Sequence, residues 1–237
     1  MRRALWILVL LLGCGDKQNP PNPPSDSGVD GGVDGGVDGG VDGGTDGGVD
    51  GGTDGGTLCV TTVEPHQLDA RCHIGAVEGC ETQPYTSNPP VSGRHYPIWA
   101  RWQIHTQVVP REYYVHNLEH GGVILLYRPD APQSVKDALV RAFNATPVDP
   151  ACDLDPACAP LGCPTRRLVL TEDPLLPTDV PWAATVSDWE VLHDPPGPGL
   201  GYVMKGNCVD EAALIEFAVT RRNHSAETTC YPGDYPP

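Results

Sequence analysis

Two histidines four residues apart with a carboxylate beside the second, His116-Asn117-Leu118-Glu119-His120, are followed by Gly121-Gly122 and the apolar run Val123-Ile-Leu-Leu-Tyr127. Imidazole and carboxylate are ligands for transition metals and groups that move protons. Conformation decides whether this pair can act together. In an extended strand His116 and His120 would lie about 13 Å apart at ~3.3 Å per residue, too far to share an ion. In a helical turn their Cβ atoms come within about 5–6 Å. Asn117, Leu118 and Glu119 tolerate helix, and Gly121 can take the left-handed conformation that ends one. The spacing therefore predicts one helical turn feeding a buried strand.

The order His-x-x-Glu-His also matches the inverzincin zinc-peptidase motif, with the two histidines on zinc and Glu119 as general base. That chemistry needs a helix that continues past the second histidine, and Gly121-Gly122 stops it. A neutral alternative makes the same residues a hydrogen-bonded polar cluster, with Glu119 held by Arg94 or His95. His66, His73, His105, His193 and His224 stand alone and read as solvated.

Upstream lies Tyr85-Thr-Ser-Asn-Pro-Pro-Val-Ser-Gly-Arg-His-Tyr-Pro-Ile-Trp99. The pairing of Asn-Pro-Pro-x-Ser-Gly-x-His-Tyr with Val-His-Asn-Leu-Glu-His-Gly-Gly-Val resembles the bacterial domain-of-unknown-function family 3105. The resemblance is strongest over Tyr85 to Tyr127. It implies a fold family and a site location, and no reaction. On it, a loop stiffened by two prolines and freed at Gly93 brings His95 beside His116 and His120. Three imidazoles, with Glu119 or a water as the fourth group, suit Zn²⁺ or Cu²⁺. Trp99, Trp102, Tyr96, Tyr113 and Tyr114 are candidates for the walls. The methionines are Met1 and Met204 alone, which excludes a thioether site for Cu⁺.

The elements that must hold such a site occupy the C-terminal part of the chain. Arg2 and Arg3 precede an apolar run from Ala4 to Leu12, too short to span a bilayer and of signal-peptide form. Leu11-Leu12-Gly13-Cys14 resembles the bacterial lipobox, in which the cysteine takes a lipid such as palmitate after cleavage. Residues 1–14 thus read as a lipoprotein signal, and Cys14 as an anchor holding the chain at the membrane in the cell envelope, periplasmic or outer-surface. Residues 15–57 hold a Pro-rich stretch and seven tandem Val/Thr-Asp-Gly-Gly repeats. Gly-rich chain of this length reaches on the order of 30 Å as a coil, so the segment reads as a disordered tether. Its four-residue period does not match the nine-residue calcium repeat.

Residues 58–237 remain for one domain. They carry 22 acids against 12 Lys and Arg, within a net charge of −16 for the whole chain. Phosphate backbones need a basic surface, so no nucleic acid is expected. Beyond Cys14, eight cysteines remain: Cys59, Cys72, Cys80, Cys152, Cys158, Cys163, Cys208 and Cys230. An even number in an exported chain predicts disulfides. The alternative, a metal knot at Cys152, Cys158 and Cys163, matches no familiar zinc spacing.

Residues 58–110 show no regular period. Strands are expected at Val123–Tyr127, Arg167–Thr171 and Ala183–Leu192, and helices at Ala131–Ala145 and Val209–Arg222. This order predicts an α+β domain, a mixed sheet with two helices on one face, disulfide-bonded. The absence of Cys-x-x-Cys argues against thioredoxin-type exchange. Three functions follow as expectations: transition-metal binding, a metal-dependent hydrolase using Glu119, or a metal-free envelope module for protein or glycan.

Overall fold

The computed structural model describes residues 59–154, 165–189, 199–225, 227 and 229–235. The N-terminal residues with Cys14, the repeats, Cys158, Cys163 and His193 lie outside these residues. In chain order the elements are β1 (Thr61–Gln67), β2 (Cys72–His73), β3 (Arg94–His95), α1 (Arg111–Glu119), β4 (Val123–Tyr127), α2 (Gln133–Ala145), β5 (Leu168–Glu172), β6 (Trp182–Asp188), β7 (Leu200–Gly206) and α3 (Glu211–Arg221).

Five strands form one mixed sheet in the order β1-β7-β6-β4-β5. The β4–β5 pair is parallel because α2 carries the chain back between them, and the other three pairs are antiparallel. β2 and β3 make a separate parallel pair of two residues each.

β4 is apolar at every position because both of its faces are covered. Val123 and Leu125 face a core shared with Val135, Leu139 and Phe143 of α2 and Leu214 and Phe217 of α3. Ile124 and Leu126 face the opposite core, with Tyr114, Val115 and Leu118 of α1. The expected pair of helices on one sheet face is thus α2 and α3, and α1 is a third helix on the other. Asp210 caps α3, its carboxylate accepting from the Ala213 amide at 3.1 Å.

Two strands depart from the sequence reading. The stretch expected to be irregular contains β1, an edge strand holding Pro65 and exposed at Thr62, Val63, Pro65 and Gln67. β7 was not expected either. Its Gly201 lets the backbone run against Val91, whose side chain a Cβ there would overlap. Elements whose stability comes from pairing rather than from an apolar stripe leave little periodicity to read.

Six of the cysteines form the expected disulfides, in pairs that spacing leaves open: Cys59–Cys208, Cys72–Cys80 and Cys152–Cys230. The bridge to Cys230 takes Cys152 out of any metal knot. It also ties the C-terminal segment to the body of the domain, where Arg167 joins the same corner. The buried Arg167 guanidinium pairs with Asp149 at 2.6 Å and donates to the carbonyls of His120 and Thr229 at 2.7 and 2.8 Å.

Candidate metal centre

The histidine stretch is more than one turn. α1 begins after Pro110 and runs nine residues to Glu119, with His120 at its end and Gly121 at φ 78°. The expected left-handed glycine is therefore present, and a Cβ on it would sit 2.9 Å from the Asn223 Cα. His116 and Glu119, three residues apart, project from one side of the helix. Asn117 turns inward and is fully buried. Its amide donates to the Ala100 carbonyl at 2.8 Å and accepts from the Ala100 amide at 2.9 Å, which fixes the loop after β3 against α1.

β3 brings His95 to the same place. Gly93, at φ 120°, turns the chain into the strand, and the Tyr96 amide bonds to the Glu112 carbonyl at 3.0 Å. β2 then adds a histidine that sequence reading had set aside. Register pairs Cys72 with Arg94 and His73 with His95, and the Ile74 amide bonds to the His95 carbonyl at 2.8 Å. The Cys72–Cys80 disulfide fastens this short strand.

The result is a group of four donors: one atom each from His73, His95, His116 and Glu119, all within 4.8 Å of one another. Glu119 Oε2 lies 2.8 Å from His95 Nε2 and 3.9 Å from both His73 Nε2 and His116 Nε2. A tetrahedral zinc site with bonds of about 2.0–2.1 Å separates its donors by roughly 3.3 Å, so an ion would spread the 2.8 Å His95–Glu119 pair and draw the wider pairs together.

Tautomers point the same way. His95 Nδ1 sits 2.8 Å from the Gly93 carbonyl and His116 Nδ1 2.6 Å from the Tyr96 carbonyl. A carbonyl only accepts, so each Nδ1 carries a proton and donates it, which turns each Nε2 toward the centre. Ligating histidines are held in this way. His73 Nε2, His95 Nε2 and Glu119 Oε2 are buried; the last two lie 2.8 Å apart, at hydrogen-bond distance, and His73 Nε2 has no hydrogen-bond partner among the described residues. A purely structural polar cluster would also satisfy the His73 nitrogen, which stands 3.9 Å from the carboxylate. On the outer side Arg71 Nη1 donates to Glu119 Oε1 at 2.8 Å and orients the carboxylate.

Electrostatics keep the donors ready. Burial, reinforced by neighbouring His120 and His95, pushes His116 down to about 3, so its ring is neutral at physiological pH. Burial pushes Glu119 up, but His95, Arg71 and His116 together outweigh it and hold the carboxyl at about 2. Burial also lowers His120.

Of the residues expected at the site, His95, His116 and Glu119 come together. His120 stands beside them and outside the donor group. Its ring stacks on His116 with centroids 4.6 Å apart, and its Nδ1 donates to the Glu227 carbonyl at 2.6 Å. Four residues earlier on a helix that ends, His116 points to the centre, while the terminal His120 swings toward the C-terminal segment. His73 takes the expected place of His120. His105, also expected to be solvated, is 2% exposed, with Nε2 against the Arg101 carbonyl at 2.9 Å. The arginine on Glu119 is Arg71, whereas Arg94 pairs with Glu112 at 3.3 Å. Trp99 does form a wall, its ring 4.9 Å from His116 and 4.4 Å from His120.

A family model described as protein of unknown function (DUF3105) matches residues 76–229. The chain belongs to this family. No curated protein and no solved structure matches it. Membership covers His95, His116, Glu119 and His120, whereas Arg71 and His73 precede the matched segment. No activity comes with the family, so the chemistry of this chain rests on its donor group.

Proposed function

We propose that this protein binds one divalent transition-metal ion, zinc or copper, through the imidazoles of His73, His95 and His116 and the carboxylate of Glu119. One observation carries the reading: backbone carbonyls hold the Nδ1 atoms of His95 and His116, so that their Nε2 atoms, with one nitrogen of His73, converge on the Glu119 carboxylate within 4.8 Å of one another. A buried, ionised carboxylate ringed by imidazole nitrogens favours a cation. Nitrogen-rich donors with one carboxylate suit zinc or Cu²⁺ better than calcium or magnesium, which prefer all-oxygen shells.

Glu119 stands among the donors, with its second oxygen occupied by Arg71, which favours binding over hydrolysis with Glu119 as the base. Two features of the sequence fit a role at the cell envelope: a lipidated Cys14 as anchor, and the Asp-Gly repeats as a tether that lifts the domain from the headgroups. In that setting the protein sequesters or delivers its metal.

Plasma mass spectrometry on the full chain purified from the cell envelope tests the proposal, beside a His95→Ala/His116→Ala variant. Near-stoichiometric zinc or copper in the first, and its loss in a variant whose circular dichroism is unchanged, is the expected result. Metal in neither chain, even after incubation with zinc, overturns it.

A further inference from the structure

The donor group is open on one side. A cleft of about 260 Å³ reaches it, with Arg71, His73, His95, Glu119 and Glu227 on its polar wall. His116 does not line this cleft and backs the group from within. The opening is far larger than the ~30 Å³ share of one water, so a small molecule can approach the ion position from this side.

Arg71 is placed at the mouth. Its Nη1 serves Glu119 Oε1 at 2.8 Å and approaches Glu227 Oε1 at 3.6 Å, while the guanidinium lies over the Trp189 ring at 4.9 Å. Its Nε and Nη2 make no hydrogen bond or ion pair among the described residues. The side chain is 37% exposed, so these donors remain available to a ligand in the cleft. The planar guanidinium fork matches an oxyanion.

Charge makes the two binding events sequential. Arg71, Glu119 and Glu227 together give the metal-free cleft one net negative charge, which favours a cation. A bound divalent ion reverses this to one net positive charge, which favours an anion. Zinc and its substitutes can expand from four to five ligands.

We infer that the metal-loaded centre takes a small oxyanion, a carboxylate or phosphate group, as an added ligand in this cleft, clamped by the free donors of Arg71. The inference rests on the metal reading above. It makes the site a place where a metal and an anionic small molecule are held together, and the metal-free protein has no such affinity.

The test uses the full chain loaded with Co²⁺, whose visible bands report coordination, titrated with acetate, with inorganic phosphate and, as a halide that accepts no fork, with chloride. A saturable spectral change with acetate or phosphate is expected, the tighter of the two naming the class. In Arg71→Lys, which keeps the charge and loses the fork, oxyanion affinity is expected to fall by about tenfold or more, with chloride affinity unchanged. A cobalt spectrum that neither acetate nor phosphate alters overturns the inference, as does equal oxyanion affinity in the two chains; in both cases the metal centre stands. Failure to take up cobalt overturns the metal centre itself and the inference with it.

Discussion

His73 and His95 are register partners across the parallel pair β2–β3, with ring centroids 4.6 Å apart. Parallel neighbours in register point to the same face, so the pairing alone brings a second loop histidine to the face where His95 meets α1. Two residues of strand therefore convert a three-donor group into a four-donor one.

The first prediction separates His73 from His120. His73→Ala is expected to weaken zinc affinity by about a hundredfold or more, beyond the 10–100-fold typical of an outer-shell loss. His120→Ala, which removes a stacked neighbour and no donor, is expected to change it by less than about tenfold. Competition against a chromophoric chelator measures both, and the reverse order would restore His120 as a ligand.

Acid should loosen the metal-free domain. His116 moves from 6.5 to about 3 on folding and Glu119 from 4.5 to about 2. Between each pair of values the unfolded chain binds more protons than the native one, so stability rises with pH there. The His116 contribution is complete above pH 6.5 and lost as pH falls toward 3, and the Glu119 contribution is lost between 4.5 and 2. Urea midpoints of the chelator-treated chain should fall steadily from neutral pH to about pH 4, and fall less in His116→Gln. A midpoint flat across this range in the parent chain would contradict the assignment.

The floor of the site depends on a buried charge. Asp149→Asn leaves the Arg167 guanidinium, 3% exposed, without its counter-ion. Loss of about 3–5 kcal/mol of stability is expected from denaturant unfolding. Because Arg167 also holds the carbonyls of His120 and Thr229, zinc affinity should fall with it.

Gly121→Ala tests the helix end. Its φ of 78° disfavours a side chain, and the added Cβ would meet the Asn223 backbone at 2.9 Å. A loss of about 1–3 kcal/mol in unfolding free energy is expected. A neutral substitution would mean that the chain beyond α1 follows a different path.

Much of this is legible in the amino-acid sequence. Val123–Tyr127 announced itself because a strand covered on both faces has nothing to alternate. α2 and α3 carried helical periodicity, and Gly121 marked the end of α1. The place of the site is also legible: spacing joins His116 to His120, the shared family motif adds His95, and Glu119 is one option for the fourth group, although the structure puts His73 where His120 is expected. His73 and Arg71 are not legible. Each reaches the site only through the pairing of two short strands more than twenty residues apart, and that contact leaves no local pattern. The one nearby sign was Cys72, whose bridge to Cys80 fixes the strand that bears His73. β1 was hidden for a related reason, since an edge strand with Pro65 is defined by its partner β7.

The most direct measurement is X-ray absorption at the zinc edge of the zinc-loaded full chain. The account predicts a four-coordinate shell of three imidazole nitrogens and one carboxylate oxygen at about 2.0–2.1 Å, with multiple-scattering features that fall to two imidazoles in His73→Ala. A shell dominated by sulfur at about 2.3 Å, or one of water and carboxylate oxygens without imidazole scattering, would contradict it.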